Sequence, residues 1–270
     1  MNASIRNSRY VVAVLFTVLC STWAFADDSA ETAATSGPVP PGYKLVWADE
    51  FDGDVLDKNK WTHRGSGERR GGILSDENAF VDGKGRLRIE TRKVGDKYST
   101  GMISTQKTFM IKYGYFEARI KFPVNPGQVA GFWLQSPCNT GESGPPDTCG
   151  TEIDVVVFYR GREGGHATNA VHWGGYHENH KKENHRVIFN DGGEWHTYGL
   201  LWTAKEYVYY RDGVEVWRTS TSVSHVPEYM ILSVVTGGRS DVLDRVELPD
   251  RLMVDYVRVY SAADTSPGKD

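Results

Sequence analysis

The chain has 270 residues, enough for one large domain with its own core and too few to require a second. A net charge of −4 and the absence of a basic stretch argue against nucleic acid as a partner. With 8 Trp, 14 Tyr and 10 Phe beside 29 Gly, the composition suits short strands and tight turns rather than helices.

In chain order, residues 1–26 read as a cleaved signal peptide: Arg6 and Arg9, a short apolar run over 11–19, then Ala24-Phe25-Ala26 at the cleavage position. That run is too short to span roughly 30 Å of hydrocarbon, and Leu19 is too bulky for a lipoprotein site at Cys20. A secreted or periplasmic protein is expected, free of the membrane after cleavage after Ala26. Residues 27–42 are small, polar and proline-ended, a flexible leader. Residues 43–261 have a uniform texture and form one domain, and 262–270 are a polar tail.

Within the domain, apolar and polar residues alternate in Leu87-Arg88-Ile89-Glu90-Thr91, in the run 115–122, in Glu206-Tyr207-Val208-Tyr209-Tyr210 and in the run 252–260. This is the period of half-buried strands. Asp212-Gly213 between two such runs marks a tight hairpin. Many antiparallel strands at short spacing predict an all-β sandwich or jelly roll. Cys138 and Cys149 flank one Gly/Pro-rich insertion; export permits a disulfide between them, and two free thiols are the alternative.

Chemistry concentrates in Glu152-Ile153-Asp154-Val155-Val156-Val157-Phe158. Residues two apart on a strand share a face, so Glu152 and Asp154 point the same way. Two such carboxylates repel, and one holds a proton or a hydrogen bond at neutral pH. This suits a nucleophile tuned by its neighbour. Val171-His172-Trp173-Gly174-Gly175-Tyr176 supplies the aromatic faces and polar groups that sugars bind, and His172, Trp173 and Tyr176 are cleft candidates.

The sequence resembles glycoside hydrolase family 16. The resemblance rests on Leu45-Val46-Trp47-Ala48-Asp49-Glu50-Phe51-Asp52-Gly53, on Tyr113-Gly114-Tyr115-Phe116-Glu117-Ala118-Arg119-Ile120-Lys121, on Gly131-Phe132-Trp133-Leu134, on Thr151-Glu152-Ile153-Asp154-Val155-Val156, on Trp195-His196-Thr197-Tyr198 and on Val254-Asp255-Tyr256-Val257-Arg258-Val259-Tyr260, in that order. It implies a concanavalin-like jelly roll with a cleft on its concave face, and a retaining endo-glycosidase acting on a β-linked glucan or galactan without a cofactor for the chemistry. It makes Glu152 the nucleophile and Asp154 its modulator. The family's second Glu, the acid/base, stands four or five residues after the first, the longer offset using a β-bulge. Here Val156 and Val157 occupy those positions, and neither donates a proton.

Glycan hydrolysis is therefore expected to be impaired, unless Glu163, Glu178, His172 or His177 substitutes. The rival reading is a non-catalytic, lectin-like β-glycan-binding protein. The resemblance adds Trp133 and Asn78 to the glycan site; for Asn78 the alternative is a turn residue. It also implies a structural Ca²⁺ held by Glu50, the Gly85 carbonyl and Asp255. The histidines around 177–185 are spaced too loosely for a metal site and read as solvated surface. Glu117 and Arg119 read as a surface pair. A polysaccharide partner and a monomer are expected.

Overall fold

The computed structural model describes residues 38–140, 144–161, 164–187, 192–238 and 240–262. The predicted signal peptide, residues 27–37 of the leader and nearly all of the tail lie outside these residues. In chain order the strands are β1 (Tyr43–Asp49), β2 (Thr62–His63), β3 (Gly67–Arg69), β4 (Gly72–Leu74), β5 (Ala79–Val81) and β6 (Leu87–Val94). Then follow β7 (Lys97–Thr100), β8 (Met102–Ser104), β9 (Gly114–Lys121), β10 (Gln128–Gln135), β11 (Glu152–Gly161) and β12 (Gly164–Trp173). The chain continues through β13 (Lys181–Val187), β14 (Trp195–Trp202), β15 (Tyr207–Arg211), β16 (Val214–Thr219), β17 (Tyr229–Thr236) and β18 (Asp250–Ala262). Among the described residues helix is confined to short turns, including Pro146–Cys149 and Ser240–Leu243.

Two sheets stack into the predicted sandwich. One runs β13-β12-β11-β10-β17-β8-β2 and carries the cleft on its concave face; the other runs β16-β15-β14-β9-β18-β6-β7-β4-β3, with β1 on β18 and β5 on β6. Period-two alternation builds the core between them. Phe132 and Leu134 of β10, Ile153 and Phe158 of β11, and Met230, Leu232 and Val234 of β17 meet Phe116, Ala118 and Ile120 of β9 and Val254, Val257 and Val259 of β18. The β15–β16 turn is the one predicted: Arg211 pairs with Val214, and Asp212 and Gly213 both take positive φ.

Glu117 and Arg119 are not a surface pair. Both are buried, Glu117 accepting from the hydroxyls of Tyr115 and Tyr256 at 2.9 and 2.8 Å. Arg119 binds Asp255 at 3.0 Å and stacks on Trp195. Tyr256, Trp195 and Asp255 come from distant segments, so the cover over this face of β9 was not visible in β9 itself.

Cys138 and Cys149 are bridged. Asn139, just inside the bridge, accepts from the Gly175 amide at 3.1 Å and ties this insertion to the turn carrying Tyr176.

Candidate glycan-processing site

The site grows from a β-bulge in β11. Against β12, Glu152 pairs with His172 and Asp154 with Ala170, but the next pairing is Val157 with Thr168; against β10 the register also shifts, Asp154 facing Trp133 and Val156 facing Phe132. The extra residue turns Val155 and Val156 together into the core and returns Val157 to the face of Glu152 and Asp154. A bulge leaves a ladder carbonyl unpaired. Here the buried Asn169 amide donates to the Val155 carbonyl at 2.6 Å and takes that role. Opposite Val157 stands Gly131; a Cβ there would lie 3.0 Å from Val157 Cγ2 and 3.1 Å from the Val156 carbonyl oxygen, so the close approach of β10 requires glycine.

Glu152, Asp154 and Val157 line a cleft of about 410 Å³ with Trp133, Gln135, Tyr159, His172, Tyr176 and Arg64. Glu152 accepts a short hydrogen bond from the Tyr176 hydroxyl, which in turn accepts one from Gln135 Nε2. The Gln135 carbonyl oxygen is held by Arg64 Nη2 at 2.6 Å and by the Tyr229 hydroxyl at 2.8 Å. Burial raises the Glu152 carboxyl to about 7, and the Asp154 charge adds to this against the opposing pull of His172, Tyr176 and Arg64.

His172 Nε2 lies 3.3 Å from Asp154 and 3.9 Å from Glu152. Burial disfavours the imidazolium, yet the hydrogen bond and charge of Asp154, helped by Glu152, raise its affinity for a proton above the ordinary value. Its Nδ1 meets His180 Nε2 at 2.9 Å, and burial together with the His172 and Lys182 charges lowers His180. A proton residing on His172 satisfies the whole row: Nε2–H donates to Asp154 and Nδ1–H donates to neutral His180.

Of the predicted glycan contacts, Trp133, His172 and Tyr176 line the cleft. Trp173 does not, because alternation along β12 turns it away from His172 and onto the core. Asn78 does not either: it is buried, and its amide donates to the Glu90 and Ser99 carbonyls at 2.8 and 3.2 Å, stitching a turn to β6 and β7. Of the residues named as possible substitutes for a second glutamate, His172 alone among the described ones lines the cleft. His177 and Glu178 are exposed in the following turn, and Glu163 lies outside the described residues.

The implied calcium set does not fit. Glu50 gives both carboxylate oxygens to Arg258 at 2.9 and 2.8 Å, and Asp255 binds Arg119. Gly85 sits beside Asp52, where an added Cβ would lie 3.4 Å from Oδ1. Carboxylates already neutralised by guanidinium groups do not offer the free oxygen cage that a dication takes. Among the described residues the one cluster of three metal-competent side chains is Glu152, Asp154 and His172, whose ligand atoms lie within 4.8 Å of one another.

Gln135, Arg64, Arg69, Arg70, Tyr159 and Asn169 escaped the sequence reading. Only Arg69-Arg70-Gly71-Gly72 carried a local signal, a turn pair between short runs.

A β-sandwich whose concave face carries paired carboxylates on a bulged strand, an aromatic wall and a histidine defines the architecture of a glycan-processing domain. Residues 68–256 match the profile of Glycosyl hydrolases family 16, and the chain belongs to that family. It is similar to Glucan endo-1,3-beta-glucosidase A1 of Niallia circulans, 26% identical over 273 residues covering 83% of this chain and 38% of that protein. To Endo-1,3-1,4-beta-glycanase ExsH of Rhizobium meliloti it is 34% identical over 175 residues, covering 64% of this chain and 36% of that protein. The chain thus spans little more than a third of those two relatives. The laminarinase catalytic domain of Thermotoga maritima superposes with a TM-score of 0.68 at 29% identity, covering 81% of this chain and 98% of that one.

Proposed function

We propose that this protein is an exported, endo-acting glycoside hydrolase of β-linked glucan or galactan that works by retention with Glu152 as nucleophile, and that Val157 limits its rate. The observation that carries this reading is the β11 bulge, which aligns Glu152, Asp154 and residue 157 on one cleft face. Glu152 attacks the anomeric carbon and the bond to the leaving oxygen breaks, that oxygen taking its proton from solvent; water then displaces Glu152 from the glycosyl-enzyme, and the water's proton passes to solvent or to a nearby base. Asp154, with the His172 proton, tunes the nucleophile, and the Tyr176 hydroxyl orients it. At position 157 a glutamate would protonate the leaving oxygen, a contribution of about 100- to 10,000-fold. Valine cannot make it. Export is supported by the character of residues 1–26 and by the Cys138–Cys149 bridge, which persists in oxidising compartments.

The test compares wild type and Val157→Glu on laminarin, mixed-linkage glucan and agarose, with reducing ends counted and binding followed in parallel. A gain of about 100-fold or more in Val157→Glu, with turnover lost in Val157→Glu/Glu152→Gln, is expected. Efficient wild-type hydrolysis unaffected by Glu152→Gln sinks the assignment. Binding by both forms without turnover by either establishes instead the lectin-like reading that Val157 favours.

A further inference from the structure

Both flanks of the cleft carry cations that form no ion pair with a carboxylate among the described residues. On one flank, β3 and β4 form a hairpin in which Arg69 pairs with Gly72, and the turn residues Arg70 and Gly71 take φ of 50° and 81°. This two-residue turn is one that Asn-Gly fills readily and arginine does not. The hairpin is pinned to the end of β17: the Thr236 hydroxyl donates to the Arg70 carbonyl at 2.6 Å, and a Cβ on Gly72 would fall 2.8 Å from Thr236 Cγ2. Arg69 and Arg70 therefore stand on a fixed wall of the cleft, with Arg64 beside them. Arg64 is held between the Trp133 and Tyr229 rings, and its buried Nη1 has no hydrogen-bond partner.

On the other flank, β13 places Lys182 opposite His172 and Arg186 opposite Thr168, so both line the groove that continues past Asp154 and His172. None of these five cations has a carboxylate within ion-pair distance among the described residues; the side-chain contact of Arg186 is with His166. Several arginines outside the cleft do have carboxylate partners, as in Arg88–Asp82, Arg92–Glu90, Arg218–Glu215 and Arg258–Glu50. Partial burial and the charges of Arg70 and Arg64 lower the proton affinity of Arg69, and Glu152 and Tyr176 offset this only in part. This concentration occurs in a protein with more acids, 35, than lysines and arginines, 31.

The geometry points to a glycan bearing negative substituents, sulfate ester or carboxylate, bound with those groups on the two flanks of the cleft. The inference rests on the reading of the cleft as a glycan site and specifies its substrate class. Guanidinium forks grip planar and tetrahedral oxyanions through paired N–H donors. Glu152 and Asp154 repel anions at the centre, so an unsubstituted residue sits at the cleavage point and the charged groups fall to either side.

The test needs no turnover. Calorimetry on the full chain in about 50 mM and about 500 mM salt compares a sulfated galactan with its desulfated form, and a carboxylate-bearing glucan with its carboxyl-reduced form. At low salt at least one anionic form binds about tenfold or more tighter than its neutral counterpart, and the pair that responds identifies the anion. High salt, Arg69→Gln/Arg70→Gln and Lys182→Gln/Arg186→Gln each shrink that preference, whereas Lys97→Gln, outside the cleft, retains it. Equal affinity for charged and neutral forms, a preference that survives both double variants, or equal competition by polyglutamate overturns the inference. Equal binding of charged and neutral glycan overturns it while leaving the glycan site standing; failure to bind any glycan removes both.

Discussion

Val157 shares the cleft face of Glu152 and Asp154, and beside it Tyr176 and Gln135 hold the Glu152 carboxyl in a defined hydrogen-bond row. A second buried acid sits behind that row. Glu228 is 1% exposed, and its carboxylate accepts from the backbone amide and hydroxyl of Thr151 at 2.9 and 3.0 Å, anchoring the residue just before β11. Burial raises its carboxyl from 4.5 to about 8 against the hydrogen bonds of Ser224 and Thr151. The folded state therefore binds more protons than the unfolded state between those values, and stability falls as pH rises through that window. The contribution is fully present below about pH 4.5 and lost above about pH 8. Urea unfolding at pH 5 and pH 8 should show a smaller loss in Glu228→Gln than in wild type; parallel losses would refute the role of this residue. Glu152 has the same sign, so some slope remains.

At the scale of elements, the bulged β11 is the device that makes a site out of a strand. Its aliphatic residues 155 and 156 secure it to the core, Gly131 admits the close neighbour, and Asn169 satisfies the carbonyl that the bulge leaves free. Asn169→Ala leaves the Val155 carbonyl buried without a partner, and a stability loss of about 1–3 kcal/mol is expected by denaturant titration. Binding to glycan should weaken along with it, because Asp154 and Val157 lose their common face. Asn169→Asp, which offers no amide donor, should not rescue; full affinity in either variant would show that the bulge holds without this contact. The alternation that made β11 and β12 legible also predicts Trp173 on the face opposite His172, and that is where it lies. The aromatic and polar character of that run had suggested both for the cleft, and local periodicity was the better guide.

For the whole molecule, two stacked sheets bury one continuous core, and loop constraints complete the cleft rim. The Cys138–Cys149 bridge closes the insertion whose Asn139 holds the Tyr176 turn. Paired Cys138→Ser/Cys149→Ser substitution should lower unfolding free energy by about 2–3 kcal/mol, from a short closed loop, and reducing agent should produce the same shift in wild type and none in the double variant. Charge also has to be read on this scale. The acidic average argued against nucleic acid as a partner, yet it conceals a cleft in which Arg64, Arg69 and Arg70 from one stretch of chain face Lys182 and Arg186 of β13.

Sequence alone determined the sandwich, the hairpin at Asp212-Gly213 and the carboxylate pair on one strand, because two-residue periodicity and turn chemistry are local properties of a chain. It also counted Val157 onto the strand position where the resemblance expects a second glutamate. The tertiary structure decided what required distant residues to meet. Asn78 became a buried stitch between β6 and β7, Glu50 and Asp255 went to arginines rather than to calcium, and Gln135 with Arg64 came beside Glu152. Partners that neutralise, orient or cover a side chain arrive from other strands, and their arrival is set by sheet order and register rather than by the residues on either side of it.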